Sequence, residues 1–177
     1  MHAAFIADDK TWDDVPGIDA IASKNPPSRT TACVGVHVRN GERLRVDIYA
    51  GQSAPFQDTR CVGDLVLIGF GEQLFIVDPL RRHVEALPLD GYFGGMYSPE
   101  DLEAPASGFG LLVTSASEVL CFSPSCELKW RTGELGVDGV VIHRIKDGVL
   151  HGDAEHDPPD GWEPFTLDFA TGRLLSG

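Results

Sequence analysis

The sequence predicts an all-β protein built from repeated antiparallel hairpins. Three features of the chain lead there. Its 177 residues include 20 Gly and 12 Pro, a density of turn formers that disfavours long helices. From Thr31 onward, short apolar or alternating runs of strand length are separated by turn residues. Asp78, Ser123 and Asp168 each close such a run, and successive members are 45 residues apart.

Residues 1–30 stand apart. Asp8, Asp9, Asp13, Asp14 and Asp19 crowd a stretch that ends in Asn25-Pro26-Pro27. A short helix is expected from about Pro16 to Ser23, with Pro near its start and Ile18 and Ile21 three residues apart on one face. The region reads as an N-terminal arm or short helix in front of a β-repeat region at 31–177, all within a single domain.

TACVGVHV (31–38) and RLRVDIYA (43–50) flank Asn40-Gly41, a pair favoured in type I′ hairpin turns because both central residues take positive φ. DLVLIGFGEQLFIVDPLRRHVEALPL (64–89) then offers a strand, a tight Gly turn, a second strand and a polar turn into a third. FGLLVTSASEVLCFSPSCELKWRTGEL (109–135) repeats that plan, and a third copy runs from KDGVLHG (146–152) to PFTLDFATGRLLSG (164–177). In each copy the second strand stops at Asp78-Pro79, Ser123-Pro124 or Asp168, whose side-chain oxygens can bond the backbone just ahead. YFGGMY (92–97) reads as a linker with packing aromatic rings, and it lacks the Lys and spacing of a phosphate loop.

A period of roughly 40 to 50 residues made of short antiparallel strands marks propeller blades. Three copies plus the Thr31 hairpin make a small or incomplete propeller-like fold; a β-sandwich or barrel of the same hairpins is the alternative. LFIVDPLRRHVEAL (74–87) and FTLDFATGRLL (165–175) resemble the blades of quinoprotein-type propellers. EHDPPDGWEPFTLD (155–168) is similar to segments of uncharacterised bacterial all-β proteins. The resemblance implies a bladed fold. That family's cofactor ligands have no counterparts here, so it implies no quinone or other cofactor, and it supplies no activity.

The chain is acidic, with a net charge of −13 and a pI near 4.7. Binding to a phosphate backbone depends on Lys and Arg, so nucleic acid is not expected as a partner. Anionic lipid is disfavoured for the same reason. A basic protein is favoured, because opposite net charges speed encounter. The start, MHAAFIADDKTW, has no basic n-region followed by a long apolar run, and no segment is apolar enough to span a membrane; the cytoplasm is the expected compartment. Of the four cysteines, Cys33, Cys61 and Cys121 sit in or beside strand-like runs, as small buried hydrophobes do, and none forms a CxxC pair. Cys121 and Cys126 flank a Ser-Pro-Ser turn, where a local disulfide is conceivable.

The richest stretch for chemistry is HGDAEHDPPDGWEPF (151–165). The equivalent gaps in the earlier copies hold only FGEQ and ASE, so DAEHDPPDGWE reads as an enlarged hairpin loop of about eleven residues. His151, Asp153 and Glu155 would share one face of an extended strand, and carboxylates at 153, 155 and 157 mimic the start of a calcium loop. The central Gly and the later bidentate Glu of such a loop are missing, and Pro158-Pro159 stiffens the place where coordination would continue. Glu155, Asp157 and Glu163 are candidates for paired catalytic acids, but paired acids must flank a cleft. GxSxG and HExxH are absent, and no Cys sits in a catalytic context. Between 147 and 172 there are seven acidic residues and no Lys or Arg.

These readings converge on a non-enzymatic, acidic protein-binding domain, concretely an immunity-type protein that masks a basic partner. Its binding residues would be Asp153, Glu155, Asp157, Asp160, Trp162 and Glu163, with Trp162 as an aromatic anchor amid acids. No catalytic or metal-binding residue is assigned. The competing class is an enzyme, or a ligand- or metal-binding domain, that uses the 151–165 loop beside a cleft.

Overall fold

The structure, a computed structural model, describes residues 1–7, 10–22, 26–51, 54–104 and 108–177. The protein is all-β. Among the described residues, sixteen strands form four sheets of four, and the chain divides into two compact units, Met1–Pro88 and Leu89–Gly177.

In the first unit, β1 (His2–Ile6), β2 (Gly17–Ile21), β3 (Ala32–His37) and β4 (Arg43–Tyr49) form one sheet in the order β1-β3-β4-β2. The second sheet is a simple meander of β5 (Gln57–Val62), β6 (Leu65–Phe70), β7 (Gln73–Asp78) and β8 (His83–Pro88). Val34, Val46 and Ile48 of the first sheet share a core with Val66, Ile68, Phe75 and Val77 of the second. β6 is nearly all buried because both its faces are covered, which explains its unbroken LVLIGF run.

The second unit holds two further meanders. One is β9 (Phe93–Tyr97), β10 (Leu111–Ser115), β11 (Val119–Phe122) and β12 (Leu128–Arg131). The other is β13 (Val140–Lys146), β14 (Val149–Glu155), β15 (Trp162–Asp168) and β16 (Arg173–Ser176). Leu112, Val119 and Cys121 of the first pack with Ile142, Leu150, Phe165 and Leu167 of the second. Trp130 joins the two: it is buried, and its indole N–H donates to the Phe169 carbonyl at 3.0 Å.

The 45-residue spacing has a plain structural meaning. Asp78 and Asp168 end the third strand of their meanders, and Ser123 directly follows the third strand of its own. Each turns the chain with its side chain. Asp78 accepts the Arg81 amide at 2.9 Å, Ser123 accepts the Ser125 and Glu127 amides at 3.2 and 3.1 Å, and Asp168 accepts the Thr171 amide at 2.9 Å. Each of the four sheets has a linear strand order with two edges, so the barrel alternative does not hold.

The helix expected from about Pro16 to Ser23 does not form; Gly17–Ile21 is β2, which runs parallel to β4. Ile18 and Ala20 alternate with Gly17, Asp19 and Ile21, and Ala20 is fully buried against the sheet. A helix this short is marginal on its own, and five register pairs with β4 outweigh it. The N-terminal region is therefore part of a sheet, with one 3-10 turn at Lys10–Trp12, while Asp8, Asp9, Ser23 and Asn25 lie outside the described residues. The linker reading of 92–97 is also corrected: Phe93–Tyr97 is β9, paired with β10, and Phe93 is buried. The local disulfide between Cys121 and Cys126 does not form; among the described residues no disulfide is present.

Candidate functional site

The acidic stretch lies on the β14–β15 hairpin, which is in register from Val149↔Asp168 to Glu155↔Trp162. The strands reach further into the stretch than the sequence suggested, so the connection is residues 156–161 rather than about eleven residues. The extension follows from register: Ala154 is buried in the core, and the backbone beyond it stays paired. The tip closes on itself, with the His156 amide donating to Gly161 O at 2.9 Å and the Gly161 amide to Asp157 O at 3.1 Å.

Alternation sorts the side chains. Leu150, Ala154, Phe165 and Leu167 face the core. His151, Asp153, Trp162, Pro164 and Thr166 take the other face, and Val141 of β13 lies in the same row as Asp153 and Pro164. His151, Asp153 and Glu155 do share a strand face. Asp153 meets His143, Nε2 to Oδ2 at 2.8 Å, with both side chains partly exposed.

Glu155 behaves differently from its acidic neighbours. It is only 8% exposed, and its Oε1 accepts the Asp160 amide at 2.9 Å, which holds the tip to the strand end. The segment before β13 closes over it: the Val137 amide donates to Glu155 O at 2.7 Å and the Glu155 amide to Gly139 O at 2.9 Å. The Tyr92 hydroxyl donates to Asp138 O nearby. Burial raises the Tyr92 pKa, and the charges of Asp138 and Glu155 push it the same way.

Trp162 is directly opposite Glu155 and 42% exposed. The end of its benzo ring sits over Gly139, where an added Cβ would lie 2.8 Å from Cη2. Asp157, Asp160 and Glu163 are all exposed. Asp147 and Asp168, in contrast, lie at the opposite end of the hairpin, where Val149 pairs with Asp168. The seven-acid run is therefore one charge sign in sequence but two groups in space.

Of the six binding residues expected from sequence, Asp157 and Asp160 lie in the tip and Trp162 and Glu163 at the start of β15 on opposite faces, Asp153 sits one row down on the outward face, and Glu155 is taken up as a support. Tyr92, Asp138, Gly139, Val141 and His143 complete the site, and no local motif marks them because they arrive through pairing and packing. Among the described residues, no group of three or more His, Cys, Asp or Glu side chains is placed to hold a metal ion. A surface cavity of about 270 Å³ opens in the first unit among Met1, Val38, Arg39, Asn40, Asp64 and Leu80, and no residue of the 151–165 stretch lines it.

Fold and site together define an all-β protein with an acidic, tryptophan-bearing hairpin end. No family model and no curated protein matches the chain. Among solved structures it is similar to Kuenenia stuttgartiensis hydrazine synthase, with 14% identity and a TM-score of 0.47 over 98% of this chain and 52% of that one. The chain thus spans about half the length of that protein's chain, and at this level of likeness nothing about activity passes between them. No helix among the described residues is long and apolar enough to cross a membrane.

Proposed function

We propose that this protein acts without catalysis, binding a basic partner protein through the end of the β14–β15 hairpin, as an immunity-type protein masks a cationic toxin in the cytoplasm. One observation carries the reading: an aromatic ring, Trp162, stands 42% exposed on a hairpin end that also exposes the acids Asp157, Asp160 and Glu163. Exposed tryptophan ringed by polar groups is the usual make-up of an interface hot spot. The net charge of −13 adds long-range attraction for a cationic partner, which acts mainly on the association rate.

The supporting geometry is specific. Glu155 pins the tip through the Asp160 amide, so the acids are presented on a braced loop and lose less entropy on binding. The test is co-expression with the products of adjacent genes and co-purification of a basic one. Asp157→Lys with Glu163→Lys should abolish that co-purification while leaving the fold intact. Undiminished capture by the double variant would contradict the reading.

A further inference from the structure

The proposed interface would be expected to centre on the tip acids. The geometry points to a more definite recognition surface, and we infer that the outward face of β13–β14–β15 receives an arginine side chain of the partner, seated against Trp162 and paired with Asp153. This rests on the protein-binding reading above and says which partner group is read and by which residues.

Cross-strand register builds the surface. One row across the sheet is Val141–Asp153–Pro164, and the next holds Glu155 opposite Trp162. All point away from the core, because their neighbours Val140, Ile142, Ala154 and Phe165 are buried. Asp153 and Trp162 are thus diagonal neighbours on one face, a spacing of about 7–8 Å that long side chains span.

Beside Asp153 the face is apolar where a soluble sheet would carry polar groups, and the polar row Arg144–His151–Thr166 lies one step further toward the β13–β14 turn. Val141 is 38% exposed, and Pro164 beside it is exposed too. The acids are not equivalent in this arrangement. Glu155 is committed to the Asp160 amide, and Glu163 alternates onto the core side of the sheet end. Asp153 is the carboxylate left on the Trp162 face. His143 engages only its Oδ2, and Oδ1 has no partner among the described residues.

An exposed indole, a half-engaged carboxylate and an aliphatic strip suit a guanidinium better than an ammonium. Arginine stacks its planar group on an aromatic ring while donating sideways to a carboxylate, and its methylene stem covers apolar surface. The anchored end of Trp162 on Gly139 keeps the ring in place.

The experiment is an NMR titration of the full chain with two capped heptapeptides, Gly-Ser-Leu-Arg-Leu-Ser-Gly and the same sequence with citrulline, the neutral isostere of arginine. The expected result is a saturable shift of the Trp162 indole and Val141 methyl signals with the arginine peptide only. Asp153→Asn should weaken that binding at least about fivefold, as should Val141→Lys; both sites are partly exposed, and an otherwise unchanged spectrum reports that the fold is kept. Equal shifts with the citrulline peptide would overturn recognition of the guanidinium. Shifts confined to 156–161, untouched by Asp153→Asn but lost in the Asp157→Lys, Glu163→Lys protein, would overturn the face while leaving the tip reading standing. No shift at Trp162 or Val141 would also overturn the face, and the tip reading would then stand or fall on capture of a basic protein alone.

Discussion

Glu155 and Trp162 form the last cross-strand pair of the β14–β15 hairpin, and they divide its labour: the carboxylate is 8% exposed and bound to the Asp160 amide, while the indole is 42% exposed. A supporting acid and a presented ring share one row of the sheet. Glu155 is thus a positioning residue. Replacing it with Ala leaves the Asp160 amide without its acceptor, at a cost of about 1 kcal/mol for a lost part-buried hydrogen bond. Gln keeps an acceptor oxygen in the same place, so Glu155→Gln should be nearly neutral in denaturant unfolding. Hydrogen exchange should rise at 156–161 in the Ala variant alone.

The most demanding electrostatic feature lies elsewhere in the second unit. Glu118 is 2% exposed and is met by the Arg131 guanidinium on two sides, with Nη2 to Oε1 at 2.6 Å, while Oε1 also accepts the Asp90 amide at 2.7 Å. Removing the cation strands a buried charge. Arg131→Met is therefore expected to destabilise the protein by about 3 kcal/mol, the low end for breaking a buried pair because Arg131 itself is partly exposed. A loss under about 1 kcal/mol in urea unfolding would mean that the guanidinium contacts are not holding Glu118.

Two glycines separate steric from conformational cost. A Cβ at Gly152 would lie 2.4 Å from Val141 O and 2.5 Å from the Phe165 ring, so Gly152→Ala must move backbone in the core of the last sheet. A penalty of about 2–3 kcal/mol is expected. At Gly41 nothing lies within 4 Å, but φ is +87°, so Gly41→Ala should cost only about 1 kcal/mol, through strain in the turn. Thermal unfolding of the two variants side by side checks the order.

Much of the fold was legible before the structure, and the reasons are local. Asp78, Ser123 and Asp168 mark turns by bonding the backbone within a few residues of themselves, so their 45-residue spacing carried the repeat. The first strand of each meander was not legible. β5 (QDTRCV) is a polar edge strand, β9 (FGGMY) looks like a loop by its glycines, and the alternation of β13 is broken by a register shift between Ile142 and Arg144. The β2 stretch carries a local helix signal, and its parallel partner lies some 28 residues onward, outside any local window. At the candidate site, the tip acids and Trp162 stand out in the sequence by residue type, whereas the buried role of Glu155 depends on Asp160 folding back and on the 137–139 segment closing over it.

The thiols tie stability to alkaline pH. Burial raises Cys121 and Cys126 to about 11, and burial together with the Asp47 carboxylate does the same for Cys33. The ordinary value is 9.0, so the folded state holds these protons more tightly than the unfolded chain does. Their contribution is complete below about pH 9 and is lost as pH rises through about 11. Stability should therefore fall between pH 9 and 11, and less steeply in a Cys121→Ala, Cys126→Ser protein. Iodoacetamide at pH 8 should label exposed Cys61 well before Cys121 or Cys126, read by mass spectrometry.

The most direct measurement of the proposed protein-binding role is calorimetry with a basic protein captured by co-expression, run on the wild type, Trp162→Ala and the Asp157→Lys, Glu163→Lys variant at two salt concentrations. If the hairpin end is the interface, the wild type binds with an affinity that falls with salt. Trp162→Ala then loses about 2 kcal/mol or more, as a hot spot does, and the charge-reversed protein shows no heat. Equal binding by all three proteins would contradict the central claim.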